Sequence, residues 1–162
     1  MKTAQYWIDE LDLQPHPEGG YYKEIYRNNV KVKAKEFSFE KNAATSIYYL
    51  LEKEDKSHFH RLVSDEIWYF HMGDPLTVCM FTPEGEYEEV TLGPAIEKNE
   101  FLQVIIPKKT IFGAYLQKPD SFVLMGCMVN PGFDFTDFEL MKKDDLLEMF
   151  PDKRKIIEYL TV

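Results

Sequence analysis

Between Ser57 and Gly73 the chain reads Ser-His-Phe-His-Arg-Leu-Val-Ser-Asp-Glu-Ile-Trp-Tyr-Phe-His-Met-Gly. His58 and His60 stand two positions apart, and residues i and i+2 of a strand project from one face. An extended HxH therefore aims two imidazoles at one point. A turn at Val63-Ser64-Asp65 returns the chain, and Glu66, Trp68 and Phe70 then share a face of the next strand. Two imidazoles, one carboxylate and an aromatic wall have two chemical uses. With a divalent metal, His58, His60 and Glu66 serve as ligands, and imidazole–carboxylate sets do not select sharply among Zn, Fe, Mn and Ni. Without a metal, His60 serves as base near neutral pH and Glu66 as its carboxylate partner. A bare HxH is common by chance, and a half-exposed strand is its ordinary setting. What favours a pocket is the aromatic run that leads from Glu66 to Gly73, seven positions on.

Other residues carry two readings each. Arg61 anchors a carboxylate or phosphate of a ligand, or pairs with Glu18 or Asp65. Tyr48, Trp68 and Phe70 line a pocket, or are plain core. His71 lies in opposite register to Trp68 and Phe70 and is expected to face away. Pro15-His16-Pro17-Glu18-Gly19-Gly20 is a ligand loop, or a tight backbone path that needs its glycines, with Glu18 paired to Arg27 or Arg61.

The elements that must position these groups are short strands. Thr3 caps a helix over Ala4–Leu11 with Trp7, Ile8 and Leu11 on one face, and the Pro- and Gly-rich stretch 14–20 stops it. From Tyr21 the text alternates as strands do, in YYKEIYR, ATSIYYLL, LTVCMF, EYEEVTLG, FLQVIIP, TIFGAYL and SFVLMGCMV. A polar stretch from Asn28 to Asn42 reads as loop. Asn130-Pro131-Gly132 reads as a turn, and FDFTDFEL after it as a last short strand or an irregular extension. Helical spacing returns over Asp144–Phe150 and again around Lys153–Leu160. Eight or more short strands with turns between them predict an all-β sandwich or barrel, formed as one domain over residues 1–162.

The 162 residues are 44% hydrophobic and 15% aromatic, enough for a real core. Nineteen Lys and Arg against 28 Asp and Glu leave a net charge of −9, which argues against nucleic acid and anionic membrane as partners. The N-terminus lacks the apolar stretch of a signal peptide, and no run is long enough to span a membrane, so a cytoplasmic protein is expected. Cys79 and Cys127 sit in apolar runs and read as buried free thiols.

The Ser57–Gly73 stretch resembles the first cupin motif, G(x)5HxH(x)3–4E(x)6G. His58-Phe59-His60 matches HxH, and Glu66 to Gly73 matches E(x)6G. Five residues separate His60 from Glu66, so Asp65 holds the regular spacing, and Glu66 is preferred because it keeps register with Gly73. The second motif, G(x)5PxG(x)2H(x)3N, falls on Pro107-Lys108-Lys109-Thr110-Ile111-Phe112. Pro107 matches, Lys109 replaces the glycine, and Phe112 stands where the last metal-binding histidine belongs. Gln103, on the strand before, is the nearest polar substitute. More of the chain is similar to the cupin-5 group: LxLxPHPEGGYYxExYR over Leu11 to Arg27, STxIYYLL, SxFHRLxSDEIWxFxxG and an NPGFDFxDFEL-like stretch over Asn130 to Leu140. The resemblance covers roughly Leu11 to Pro151. It implies a double-stranded β-helix barrel and a homodimer, and it likens the chain in shape alone to sugar-nucleotide epimerases and metal dioxygenases.

Three readings of function follow. The first is a pocket that binds a small sugar-like or partly aromatic molecule and isomerises or epimerises it, with His60 and Glu66 catalytic and Tyr48, His58, Arg61, Trp68, Phe70, Gln103 and Phe112 around the ligand. The second is a divalent-metal dioxygenase or lyase, with His58, His60, Glu66 and Gln103 on the metal. The third is a binding module without chemistry.

Overall fold

Alternating apolar and polar residues need a sheet to bury one face, and the computed structural model, which describes residues 2–33, 37 and 39–162, supplies two. Helix α1 (Ala4–Leu11) leads into β1 (Gln14–Pro15), β2 (Tyr21–Arg27), β3 (Lys31–Val32), β4 (Lys41–Asn42), β5 (Thr45–Glu52), β6 (Lys56–Arg61) and β7 (Asp65–Gly73). Then come β8 (Leu76–Phe81), β9 (Tyr87–Leu92), β10 (Glu100–Phe101), β11 (Gln103–Ile106), β12 (Ile111–Leu116), β13 (Phe122–Asn130) and β14 (Glu139–Leu140), followed by α2 (Lys143–Met149) and α3 (Arg154–Leu160). One six-stranded sheet runs β1-β2-β5-β13-β7-β11 and the other β10-β9-β8-β12-β6-β14. Together they form the jelly-roll barrel of a cupin fold. Within the stretch read as loop, β3 and β4 pair as a small ribbon; residues 34–36 and 38 of that stretch lie outside the described residues.

The barrel interior is filled from both sheets. Tyr49, Leu51, Trp68, Val104, Ile106 and Met125 meet Val78, Met80, Phe112 and Ala114 there. Strand β8 is buried at every position, because the opposite face of its sheet is covered too. There Phe59, Cys79, Phe81 and Ile111 pack under α2 and α3 through Leu146, Ile157 and Leu160. Helix α1 does the same for the first sheet, laying Trp7, Ile8 and Leu11 over Leu50 and Leu124. The Thr3 hydroxyl accepts the Tyr6 N–H at 3.3 Å, and Asp12 closes the helix in the left-handed region at φ 54°.

The segment FDFTDFEL becomes a short 3₁₀ turn, Phe135–Asp137, followed by the two residues of β14. It is tied down by the Lys41 ammonium, 3% exposed, against the Asp137 carboxylate. No described helix is long and apolar enough to cross a membrane.

The two cysteines are free and lie on opposite sides of the core, Cys79 toward α2 and α3 and Cys127 toward the barrel interior. Burial holds the Cys79 thiol up at about 12 and lifts that of Cys127 well above its ordinary value. Since the thiolate is the reacting form, both thiols are expected to react with an aromatic disulfide reagent at pH 8 at least ~100-fold more slowly in native than in denatured protein. A native rate within a few-fold of the denatured one contradicts this.

Candidate functional site

The site begins at the loop between β1 and β2. The His16 N–H donates to Gly20 O at 2.9 Å and the Gly19 N–H to His16 O at 3.0 Å, closing a tight turn. Gly19 sits at φ 114°, where side chains are strained, and a Cβ there would collide with the Lys56 carbonyl oxygen. The loop can therefore lie flat on β6. The Glu18 carbonyl accepts the His58 N–H at 2.8 Å and faces His58 Nδ1 at 2.7 Å. These contacts turn the Glu18 side chain inward, where it is 7% exposed.

Strand β6 meets Glu18 through a bulge. Against β12, His60 pairs with Phe112 and Ser57 with Ala114, so three steps on β6 match two on β12. Ser57 and His60 consequently reach the same carboxylate. The Ser57 hydroxyl donates to Glu18 Oε1 at 2.8 Å, and His60 Nε2 stands 3.2 Å from Oε2. His60 Nδ1 lies 2.8 Å from His58 O, an acceptor only, so Nδ1 carries a hydrogen. The second ring nitrogen faces the Glu18 carboxyl, so the two groups form a buried pair. His16 is neutral. Its Nδ1 accepts the Glu18 N–H at 3.2 Å, which leaves no proton there for an ion pair with Glu18 Oε2 at 3.5 Å. Burial also holds its pKa down, against the pull of Glu18 and with the push of His60.

Across the interior, β7 contributes Glu66. Trp68, two positions on, donates its indole N–H to Glu66 Oε1 at 2.7 Å. Burial first, and then the charge of Glu18, push the Glu66 carboxyl up to about 8, against that hydrogen bond. At neutral pH Glu66 is a carboxylic acid. A cavity of about 270 Å³ opens between these groups. Glu18 and Glu66 line it with Tyr49 and Cys127, and Tyr22 and Phe135 stand on it with Arg27. The Tyr49 hydroxyl donates to Gly19 O at 2.8 Å, and burial raises its pKa well above the ordinary value, helped by Glu18.

The structure brings some of the expected residues together and separates others. His60 meets Glu18, with no hydrogen bond or ion pair to Glu66. The β6 bulge breaks the alternation that would have set His58 beside His60, and the His58 ring is spent on the Glu18 carbonyl. Gln103 is exposed on β11, because Val104 and Ile106 take the inward positions. Tyr48 points outward into the cluster under α1, against the His71 ring at 6.0 Å, and Tyr49 takes the inward place. Arg61 pairs with Glu139 on β14, at 2.6 and 3.0 Å, rather than with Glu18 or Asp65. Asp65 is exposed and accepts the Lys108 N–H at 2.8 Å. Arg27 likewise pairs with Glu24, not Glu18. Trp68 and Phe112 are buried below the cavity, the Phe112 ring 4.1 Å from that of His60, and Phe70 packs on the same core.

These placements do not suit a divalent metal. Among the described residues no three His, Cys, Asp or Glu side chains converge as a ligand set. Of the four expected ligands, His58, His60, Glu66 and Gln103, Gln103 faces out and His58 is held by a backbone carbonyl, while Phe112 fills the position where a further histidine would stand.

The residues underrated from sequence are Glu18, His16, Ser57 and Tyr49. The adjacent glycines after Glu18 were the available sign that its backbone approaches another strand closely. Nothing in the spacing marks Ser57, whose part depends on the bulge.

Residues 5–141 match the family model Cupin_5, described as Cupin superfamily (DUF985). A solved structure of a protein from Shewanella oneidensis is 41% identical, covers 100% of this chain and 99% of its own, and superposes with a TM-score of 0.92. A hypothetical protein from Leishmania major is 37% identical, with 99% of both chains covered and a TM-score of 0.91. An uncharacterized protein of Saccharomyces cerevisiae is 26% identical over an alignment 169 positions long that covers 96% of this chain and 84% of that one. A match over this much of the chain places the protein in the Cupin_5 family of the cupin superfamily.

Proposed function

We propose that the protein binds a small organic molecule in this cavity and moves protons on it, as an isomerase or epimerase. One observation carries the reading. Two buried carboxyl groups line one cavity in different surroundings: Glu18 is held by His60 and Ser57, while Glu66 is held as an acid. Two carboxyl groups in such different surroundings can serve as base and acid at one site. Glu18 faces the ligand as base, the role expected of His60 from its place in the HxH pair. His60 and Ser57 position Glu18, and Glu66 donates a proton from its own wall. In one turnover Glu18 accepts a proton from the ligand carbon, Glu66 returns one to the ligand, and the carboxyls re-equilibrate with solvent.

The test starts from whatever co-purifies, identified by native mass spectrometry. Incubated in D2O with the protein, that ligand is expected to gain one mass unit at a carbon position. Glu18→Gln is expected to slow the exchange at least ~100-fold while still binding the ligand, since the amide oxygen can keep the Ser57 bond. No carbon-bound deuterium with the wild-type protein would defeat the reading and leave a binding module.

A further inference from the structure

We infer that the ligand of this cavity is a cation, an organic ammonium compound with a small aromatic or aliphatic body. The inference rests on the binding reading above and adds the charge of the ligand. Four carboxyl groups line the cavity, Glu18, Glu24, Glu66 and Asp134, against one cationic side chain, Arg27. That cation is already engaged. Its Nε–H and one Nη2–H hold both oxygens of Glu24 at 2.8 and 2.7 Å, the other Nη2–H donates to Phe133 O at 3.1 Å, and Nη1 donates to Asn42 Oδ1 at 3.1 Å. Four of its five N–H groups are thus directed into the protein. Lys41, whose charge Asp134 also feels, is bonded to Asp137.

An anionic ligand would therefore enter among carboxyl groups with no disengaged cation to receive it. A cation finds the reverse. Asp134 is held ionised by the Thr136 N–H and hydroxyl, both on Oδ1 at 2.9 and 2.7 Å. Glu66 is 7% exposed, and among the described residues only Trp68 donates to it, on Oε1. Held as an acid, it adds no charge, so the attraction for a cation falls to Asp134 and Glu18. The aromatic rings of Tyr22, Tyr49, Phe133 and Phe135 line the same space, and ring faces attract ammonium groups while covering their apolar bodies. A cavity of about 270 Å³ lies just under the ~300–1,000 Å³ range of drug-sized sites, which suits a compound of metabolite size.

Three compounds of one shape and three charges test this: phenethylamine, phenethyl alcohol and phenylacetate, each titrated calorimetrically into the full chain at pH 7. The amine is expected to bind at least ~10-fold more tightly than the alcohol, and phenylacetate not to bind. In Asp134→Asn the preference for amine over alcohol is expected to shrink at least ~3-fold. Equal or tighter binding of the alcohol or of phenylacetate overturns the inference, and so does binding of none of the three. In each of those cases deuterium exchange into the co-purified ligand still decides the proton-transfer reading separately.

Discussion

Glu66→Gln is expected to stabilise the protein above neutral pH and to leave its stability near pH 4 almost unchanged. The Glu66 carboxyl titrates at about 8 in the folded chain, against an ordinary value of 4.5, because it is buried and because Glu18 opposes a second negative charge. Below pH 4.5 the folded and unfolded chains both hold the proton, and Glu66 contributes no penalty. Between pH 4.5 and 8 the unfolded chain releases its proton while the folded chain keeps it, so stability falls as pH rises; above 8 both are ionised and the loss is complete. The full loss is on the order of 5 kcal/mol. Glutamine has nearly the same volume, still accepts the Trp68 N–H through Oε1, and never ionises. Its advantage over wild type should therefore grow across that window to roughly 10 °C in Tm by pH 8.5, for a chain of this size. Thermal melts of both proteins at pH 4, 6 and 8.5 read the difference. A constant offset at all three pH values would mean that Glu66 titrates as an ordinary carboxyl.

The second large effect is expected at Gly19. In Gly19→Ala the new Cβ collides with the Lys56 carbonyl, and the residue must also hold φ at 114°. Either the loop lifts off β6, with loss of both bonds to the Glu18 carbonyl, or β6 moves and carries Ser57 and His60 with it. A loss of at least ~3 kcal/mol is expected, together with loss of ligand binding, since Glu18 leaves its partners by either route. Gly85 gives an internal control. It has φ 89° in the turn after β8, but nothing lies within 4 Å of its Cβ position. Gly85→Ala should therefore show the backbone strain alone, about 1 kcal/mol. Urea denaturation of both variants separates the collision from the strain, and equal losses would show that Gly19 does not hold the loop down.

The barrel was legible in the sequence because strands alternate and turns punctuate them. YYKEIYR, SIYYLL and VLMGCMV each became a strand of the first sheet, and α1 has the bounds that its cap and periodicity predict. The site was only partly legible, for three physical reasons. Alternation holds only where the ladder is regular, and the β6 bulge replaced the pair His58 and His60 with Ser57 and His60. Near-continuous apolar strands do not declare which face is inner, so Tyr48 was preferred to Tyr49. Charges separated by tens of positions give no sign of whether they meet. Glu18 and His60 lie 3.2 Å apart, and Arg27 pairs with Glu24 instead of Glu18.

The bulge in β6 also sets a condition on anyone who would retrofit this barrel with a metal. Restoring a histidine at position 112 adds one imidazole beside His60, but the extra residue between Ser57 and His60 still leaves the His58 ring against the Glu18 carbonyl. Such a graft supplies two ligands where a stable centre needs three or four. Inserting one residue into β12 between Phe112 and Ala114 has to come first, so that three steps on β6 meet three on β12, strict alternation returns and His58 swings to the interior. That insertion would also withdraw Ser57 from Glu18, so the barrel can be rebuilt for a metal only by disturbing the group around Glu18 that it now holds.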